Sequence, residues 1–175
     1  MLERSIGDKR LRMVRGDITD LEVEAFVFDI TEDAKLGSGF GGAIQQRGGI
    51  VIQKELDEIG TIPTGEAVVT QAGILKAEHI IHVNGPKFRE EDESGKLQRA
   101  VASVLARAEE KGIKQIAFPP IGTGLYQVPL DLCADVMVDT ISAHLANGSG
   151  LDEVLIVVQD PREISPFEAK FQEGA

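Results

Sequence analysis

Gly37-Ser38-Gly39-Phe40-Gly41-Gly42 runs straight into the helical stretch Ala43-Ile44-Gln45-Gln46. A second glycine loop, Ile121-Gly122-Thr123-Gly124-Leu125-Tyr126, follows the apolar run Gln115-Ile116-Ala117-Phe118-Pro119. Glycine lets backbone approach a ligand closely and adopts positive φ at little cost. Amide groups of such a loop, beside a helix N-terminus, make an anion site. Two such loops facing one crevice suit a ligand with a diphosphate in its middle. A single cluster reads most simply as a turn. Two clusters, each between an apolar strand and a helix, carry more weight.

Gly37, Gly39 and Gly42 fit G-x-G-x-x-G, but the dinucleotide-binding fold is rejected. That fold needs the first glycine at a strand end and an acid at the end of the next strand. Here Thr31 to Leu36 intervene, and the next strand, Ala67–Thr70, ends at Gln71.

Working outward, the chain alternates strand and helix patterns. Strands are expected at Arg10–Val14, Val23–Phe28, Ala67–Thr70, Ile80–Val83, Ile116–Phe118 and Val154–Val158. Helical character runs from Gly42 to Ile59, interrupted at Gly48-Gly49. Ser94 is expected to cap the next helix, whose apolar stripe is Leu97, Ala100, Val101, Val104, Leu105 and Ala108, and Gly112 to end it. Pro129 opens a further helix that Gly148 closes, and a short helix covers Ser165–Phe171. This order predicts an α/β protein: a mixed, largely parallel sheet with helices on both faces. Its ligand crevice lies beyond the carboxyl ends of the strands.

At 175 residues the chain reads as one domain, residues 1–175, with a sizeable core. The net charge of −11 argues against a nucleic-acid polymer as partner, since that binding draws on clustered Lys and Arg. The longest apolar runs are strand-sized, so no membrane span is expected, and the first residues lack a signal-peptide core. The single cysteine, Cys133, sits in an apolar helix pattern and reads as core. A cytoplasmic location is the default.

No metal site or cofactor is expected. His79 and His82 point to opposite faces of one strand, and His144 has no evident ligand partner. H-E-x-x-H, C-x-x-C, Walker and nucleophile-elbow patterns do not occur. The acidic run Glu90-Glu91-Asp92-Glu93 reads as a solvated loop.

From Gly16-Asp17-Ile18-Thr19 to Asp160 the chain resembles the macro domain family of ADP-ribose binders. The resemblance rests on the order of Leu36–Ile44, Pro63-Thr-Gly-Glu-Ala67, Ile81-His-Val-Asn-Gly-Pro86 and Ala117–Tyr126. It implies a three-layer α/β/α sandwich and binding of ADP-ribose or an ADP-ribosylated protein. It implies that Asp17 accepts from the adenine amino group beside the Ile18 backbone; helix capping is the plain alternative for this aspartate. It places Gly39, Phe40, Gly41 and Ile44 in the loop around the diphosphate and distal ribose. By the same resemblance, Gly122, Thr123, Gly124 and Leu125 are expected to form the opposing phosphate loop, and Tyr126 to line the distal ribose.

The chain also departs from the family pattern. Many members carry Asn-Ala-Ala-Asn where this chain has Phe28-Asp29-Ile30-Thr31. One hydrolytic branch has an aspartate at the place of Gly41, and another a lysine just after that loop, where Gln45, Gln46 and Arg47 stand. Hydrolysis asks for a positioned base or nucleophile, for which Asp29 and Thr31 are the candidates. Thr31 is also a candidate ligand contact. Gln159 stands where some relatives place an aromatic over adenine. Three readings stay open: a binding module for ADP-ribose or a related adenine nucleotide diphosphate, a hydrolase that removes ADP-ribose or the phosphate on its distal ribose, and a scaffold that has lost its ligand.

Overall fold

A computed structural model describes residues 2–87, 90–123 and 128–173. Among them are seven strands: β1 (Leu2–Ile6), β2 (Lys9–Arg15), β3 (Ala25–Asp29), β4 (Ala67–Gln71), β5 (His79–Val83), β6 (Gln115–Phe118) and β7 (Glu153–Val158). Five α-helices accompany them: α1 (Gly39–Gly48), α2 (Val51–Ile59), α3 (Glu93–Glu110), α4 (Leu130–Ala146) and α5 (Ile164–Glu173).

The sheet order is β1-β2-β7-β6-β3-β5-β4. The four inner pairings are parallel, and the two outer ones, β1 with β2 and β4 with β5, are antiparallel. This is the expected mixed sheet. Its centre is apolar on both faces because both are covered. On one face Val27, Ile81, Ile116 and Ile156 share a core with α3, α4 and α5. On the other, Phe26, Phe28, Ile80 and Leu155 pack with Ile44, Ile52 and Leu56 of α1 and α2.

Several boundaries differ from expectation for local reasons. The β1–β2 hairpin was not foreseen: Gly7, at φ +62°, closes a tight turn between two strands of mixed polarity. Asp92, not Ser94, caps α3, accepting from the Gly95 amide. Pro129 is the N-cap residue of α4 rather than its first helical residue. Gly112 and Gly148 do follow their helices with positive φ. Cys133 is fully buried, as expected.

The end of the sheet away from the strands' carboxyl termini is fastened by polar groups. Glu153 is buried and meets Arg10 and Arg12 at 3.1 Å each, and its other oxygen accepts from Gln115 at 2.8 Å. His144 does have a partner there: its Nε2 lies 2.7 Å from Glu109 Oε2, which also accepts from Ser149 at 2.5 Å.

Candidate functional site

The parallel strands β2, β7, β6 and β3 all end at the same edge, and a crevice of about 520 Å³ opens there. Gly16 and Ile18 line it after β2, and Pro119, Pro120 and Thr123 after β6. Val157, Gln159, Asp160 and Glu163 line it at the end of β7, and Phe40 reaches in from α1. Both glycine loops therefore border one cavity, the first through Phe40 and the second through Thr123. A wider, more open depression of about 640 Å³ lies against the α1 backbone, lined by Ser38, Gly39 and Gln46 among others. Its lining among the described residues comes from the first loop and α1.

The first loop is held by packing. Phe40 meets Phe28 edge-on at 5.0 Å and stacks near Phe26 at 6.5 Å. Phe28 in turn meets the His82 ring at 6.1 Å. Phe28 is thus a core residue supporting the crevice wall. Gly41 is needed for close approach: a Cβ there falls 1.7 Å from the Leu36 carbonyl oxygen. An aspartate at this position is excluded by this loop path. Gln53 of α2 completes the support, donating to Ala34 O at 3.0 Å and accepting from Leu36 N at 2.9 Å. At the start of α1, Ser38 makes no side-chain capping bond. The first-turn amides, including those of Phe40 and Gly41, have no intrahelical acceptor.

His82 is fully buried, with Nε2 2.8 Å from Thr70 Oγ1. The Thr70 hydroxyl donates its one proton to Gln71 O, so Nε2 carries the ring proton. Burial pushes the imidazole pKa down to about 3, keeping it neutral.

The second loop is held by polar groups. Asp29, at the end of β3, accepts from Gly85 N at 3.3 Å and from the Gly122 amide. Burial pushes its pKa up to about 6 against these two bonds. Cys133 donates to Ile121 O at 3.5 Å, and Val128 N donates to Gly122 O at 2.8 Å. Gly122 has φ +78°, and a Cβ there would fall 2.7 Å from Val128 Cγ2.

Asp17 does cap a 3-10 turn, Ile18–Asp20. Its Oδ1 accepts from Thr19 N at 3.0 Å and Thr19 Oγ1 at 2.7 Å, and Oδ2 accepts from Arg47 at 2.8 Å. The Thr19 hydroxyl bond above all, then Arg47, holds this carboxyl below its usual range. A carboxylate accepts about four hydrogen bonds, so one place remains, on Oδ2. Arg47, which stands near the place of the lysine of one hydrolytic branch, reaches this turn from the last turn of α1 and pairs with Asp17 instead.

The other residues singled out in sequence divide as follows. Ile44 is a correction: it is fully buried in the core beneath α1 and presents no surface to a ligand. Thr31 donates to Asp33 in an exposed turn, and neither it nor Asp29 lines the crevice. Gly124, Leu125 and Tyr126 lie outside the described residues. Among the described residues no cluster of metal-ligating side chains occurs, and no helix is long and apolar enough to cross a membrane.

Comparison with known proteins places this geometry. The family model of the macro domain matches residues 30–137. An uncharacterized protein of Sulfurisphaera tokodaii is 39% identical over 166 residues, covering 93% of this chain and 91% of its own. O-acetyl-ADP-ribose deacetylase 1 of Pantoea vagans is 35% identical over 158 residues, covering 87% and 92%. Among solved structures, a point mutant of the Oceanobacillus iheyensis macrodomain with ADPR superposes with a TM-score of 0.93 at 26% identity, covering 98% and 97%. The macrodomain of Trypanosoma brucei in complex with ADP-ribose gives 0.85 at 25% identity, covering 91% and 68%.

Proposed function

This chain belongs to the macro domain family, and on that premise we propose that it binds ADP-ribose, free or attached to a protein, as a single cytoplasmic domain. The observation that carries the reading is the shared crevice: Phe40 and Thr123, from two glycine loops, border one cavity at the strands' carboxyl ends. The likeness to macrodomains that hold ADP-ribose supports the ligand's identity. In this reading the unpaired first-turn amides of α1 and the Gly122–Leu125 loop take the diphosphate from opposite sides. Ile18 packs beside the adenine, and the open place on Asp17 Oδ2 accepts its amino group. Tyr126 walls the distal ribose. The buried Cys133, the chain's one cysteine, supports a reducing compartment.

Titration calorimetry tests this with ADP-ribose, ADP and AMP. ADP-ribose is expected to bind tightest; no heat with any of the three leaves a scaffold without a ligand. Replacing Asp17 by Ala is expected to weaken ADP-ribose by about 1.5–3 kcal/mol, the range for a hydrogen bond to a charged group. Unchanged affinity removes Asp17 from the site.

The second reading, hydrolysis of an ADP-ribose linkage, draws on the deacetylase relative. It requires a free base near the ligand. The acids that line the described part of the crevice are engaged: Asp160 with Arg162, and Glu163 with the amides of Gln159 and Asp160. Binding without turnover is therefore favoured. Release of ADP-ribose from a mono-ADP-ribosylated protein, above a buffer control, reverses that preference.

A further inference from the structure

Asp29 is the departure from the family pattern that the binding reading leaves unused. Its carboxylate sits beneath the second glycine turn and accepts from the amides of Gly85 and Gly122. Gly122 directly precedes Thr123, which lines the crevice. A negative charge therefore lies one residue behind the wall that receives a doubly anionic diphosphate. Two effects oppose each other there. The carboxylate orients the turn through its two amide bonds. Its charge, in a partly buried setting, is screened less than a surface charge and repels the ligand's phosphates. Protonation separates the two. A neutral carboxyl keeps acceptor capacity for the amides while losing the charge.

We infer that Asp29 is a positioning residue of the second loop that takes up a proton as the diphosphate docks. This rests on the ADP-ribose reading and adds to it a proton linkage. The groups that face Asp29 pull its proton affinity in both directions. The Lys87 ammonium, from the loop after β5, favours the ionised form. The Cys133 thiol, from α4, is pushed up by burial and then by Asp29 itself, so it keeps its proton; Glu163 adds to that. Gly85 and Gly122 contribute amides alone. Burial has already brought Asp29 to about 6, within reach of an added negative charge. Asp17 and Asp160, the carboxylates nearer the expected adenine, are held below their usual range by hydrogen bonds from Thr19 and Arg162. They therefore stay ionised between pH 5 and 8.

The proton comes from the buffer, so calorimetry detects it. ADP-ribose is titrated into the intact protein at pH 6.5 in buffers of different ionisation enthalpy, since its diphosphate diester stays ionised in this range. Net uptake, above zero and up to one proton per ligand, is expected. Affinity is expected to rise as pH falls from 8 to 5, by about tenfold for each unit by which docking raises the acid. Asp29→Asn, with nearly the same shape and an acceptor retained, is expected to abolish the uptake and flatten the pH profile. At pH 8 it should bind ADP-ribose more tightly than the wild type. Wild-type binding without proton uptake overturns the role of Asp29, as does uptake that persists in Asp29→Asn. Both results leave the ADP-ribose reading standing. No binding at any pH overturns that reading and this one with it.

Discussion

The two glycine turns reach the same crevice on different supports. The first is keyed to the apolar core: Phe40 sits on Phe28 and Phe26, and Gly41 presses on the Leu36 carbonyl. The second is tied by polar bonds, with Asp29 under Gly122, the Cys133 thiol on Ile121 and a backbone bond to Val128. Packed rings resist displacement and are indifferent to pH. A buried carboxylate makes its segment answer to protons. One wall of the site is thus fixed by packing and the opposing wall by electrostatics.

The largest test of that contrast is Phe28→Ala. Phe28 is 6% exposed and carries Phe40. Truncating a buried phenylalanine costs about 3–5 kcal/mol, so chemical denaturation is expected to show a loss of that size, nearly the same at pH 5 and pH 8. A loss under 1 kcal/mol means that the first turn does not depend on this ring.

That dependence was the least legible part of the sequence. The strand and helix order followed from apolar periodicity, and the shared crevice from both loops leaving carboxyl strand ends. Phe28 stands where many family members carry an asparagine, but family position alone does not say where a side chain points. In β3 the alternation sends Phe26 and Phe28 into the layer beneath α1, with Ile44 below them. Asp29, one residue on, turns to the other side and meets Gly85. The pairing of Arg47 with Asp17 is not legible in sequence because the two are 30 residues apart, and only the fold brings the end of α1 to that turn. The β1–β2 hairpin was missed because short strands of mixed polarity carry a weak period, although Gly7-Asp8 marks its turn.

An intermediate effect is expected from Asp29→Asn on stability alone, apart from any ligand. The folded pKa, about 6, stands above the ordinary 3.8. The native state then holds more protons than the unfolded chain between these values, and stability falls as pH rises through them. The cost is absent below about pH 4 and complete above about pH 6. After allowance for partial solvent contact it amounts to about 2 kcal/mol. Asp29→Asn is therefore expected to be more stable than the wild type at pH 8 by about that much, and equal to it at pH 4. Denaturant titrations at the two pH values measure it. A variant less stable at pH 8 means that the ionised carboxylate earns more from its two amides than burial takes away.

The smallest expected effect sharpens the contrast from the polar side of the first turn. Gln53 joins α2 to that turn by two bonds, accepting from Leu36 N and donating to Ala34 O. It also donates to Asp57 at 2.9 Å, which Lys35 reaches from the turn at 2.7 Å. If packing governs the first wall, these bonds only trim its position. Gln53→Ala then loses about 1 kcal/mol of stability, the net worth of such hydrogen bonds, and leaves ADP-ribose affinity within about threefold, or 0.6 kcal/mol. A much larger loss of affinity at unchanged stability makes the amide clamp, rather than the Phe28–Phe40 contact, what shapes this side of the crevice. The two walls would then both be polar in origin, and their contrast would shrink to the single charge on Asp29.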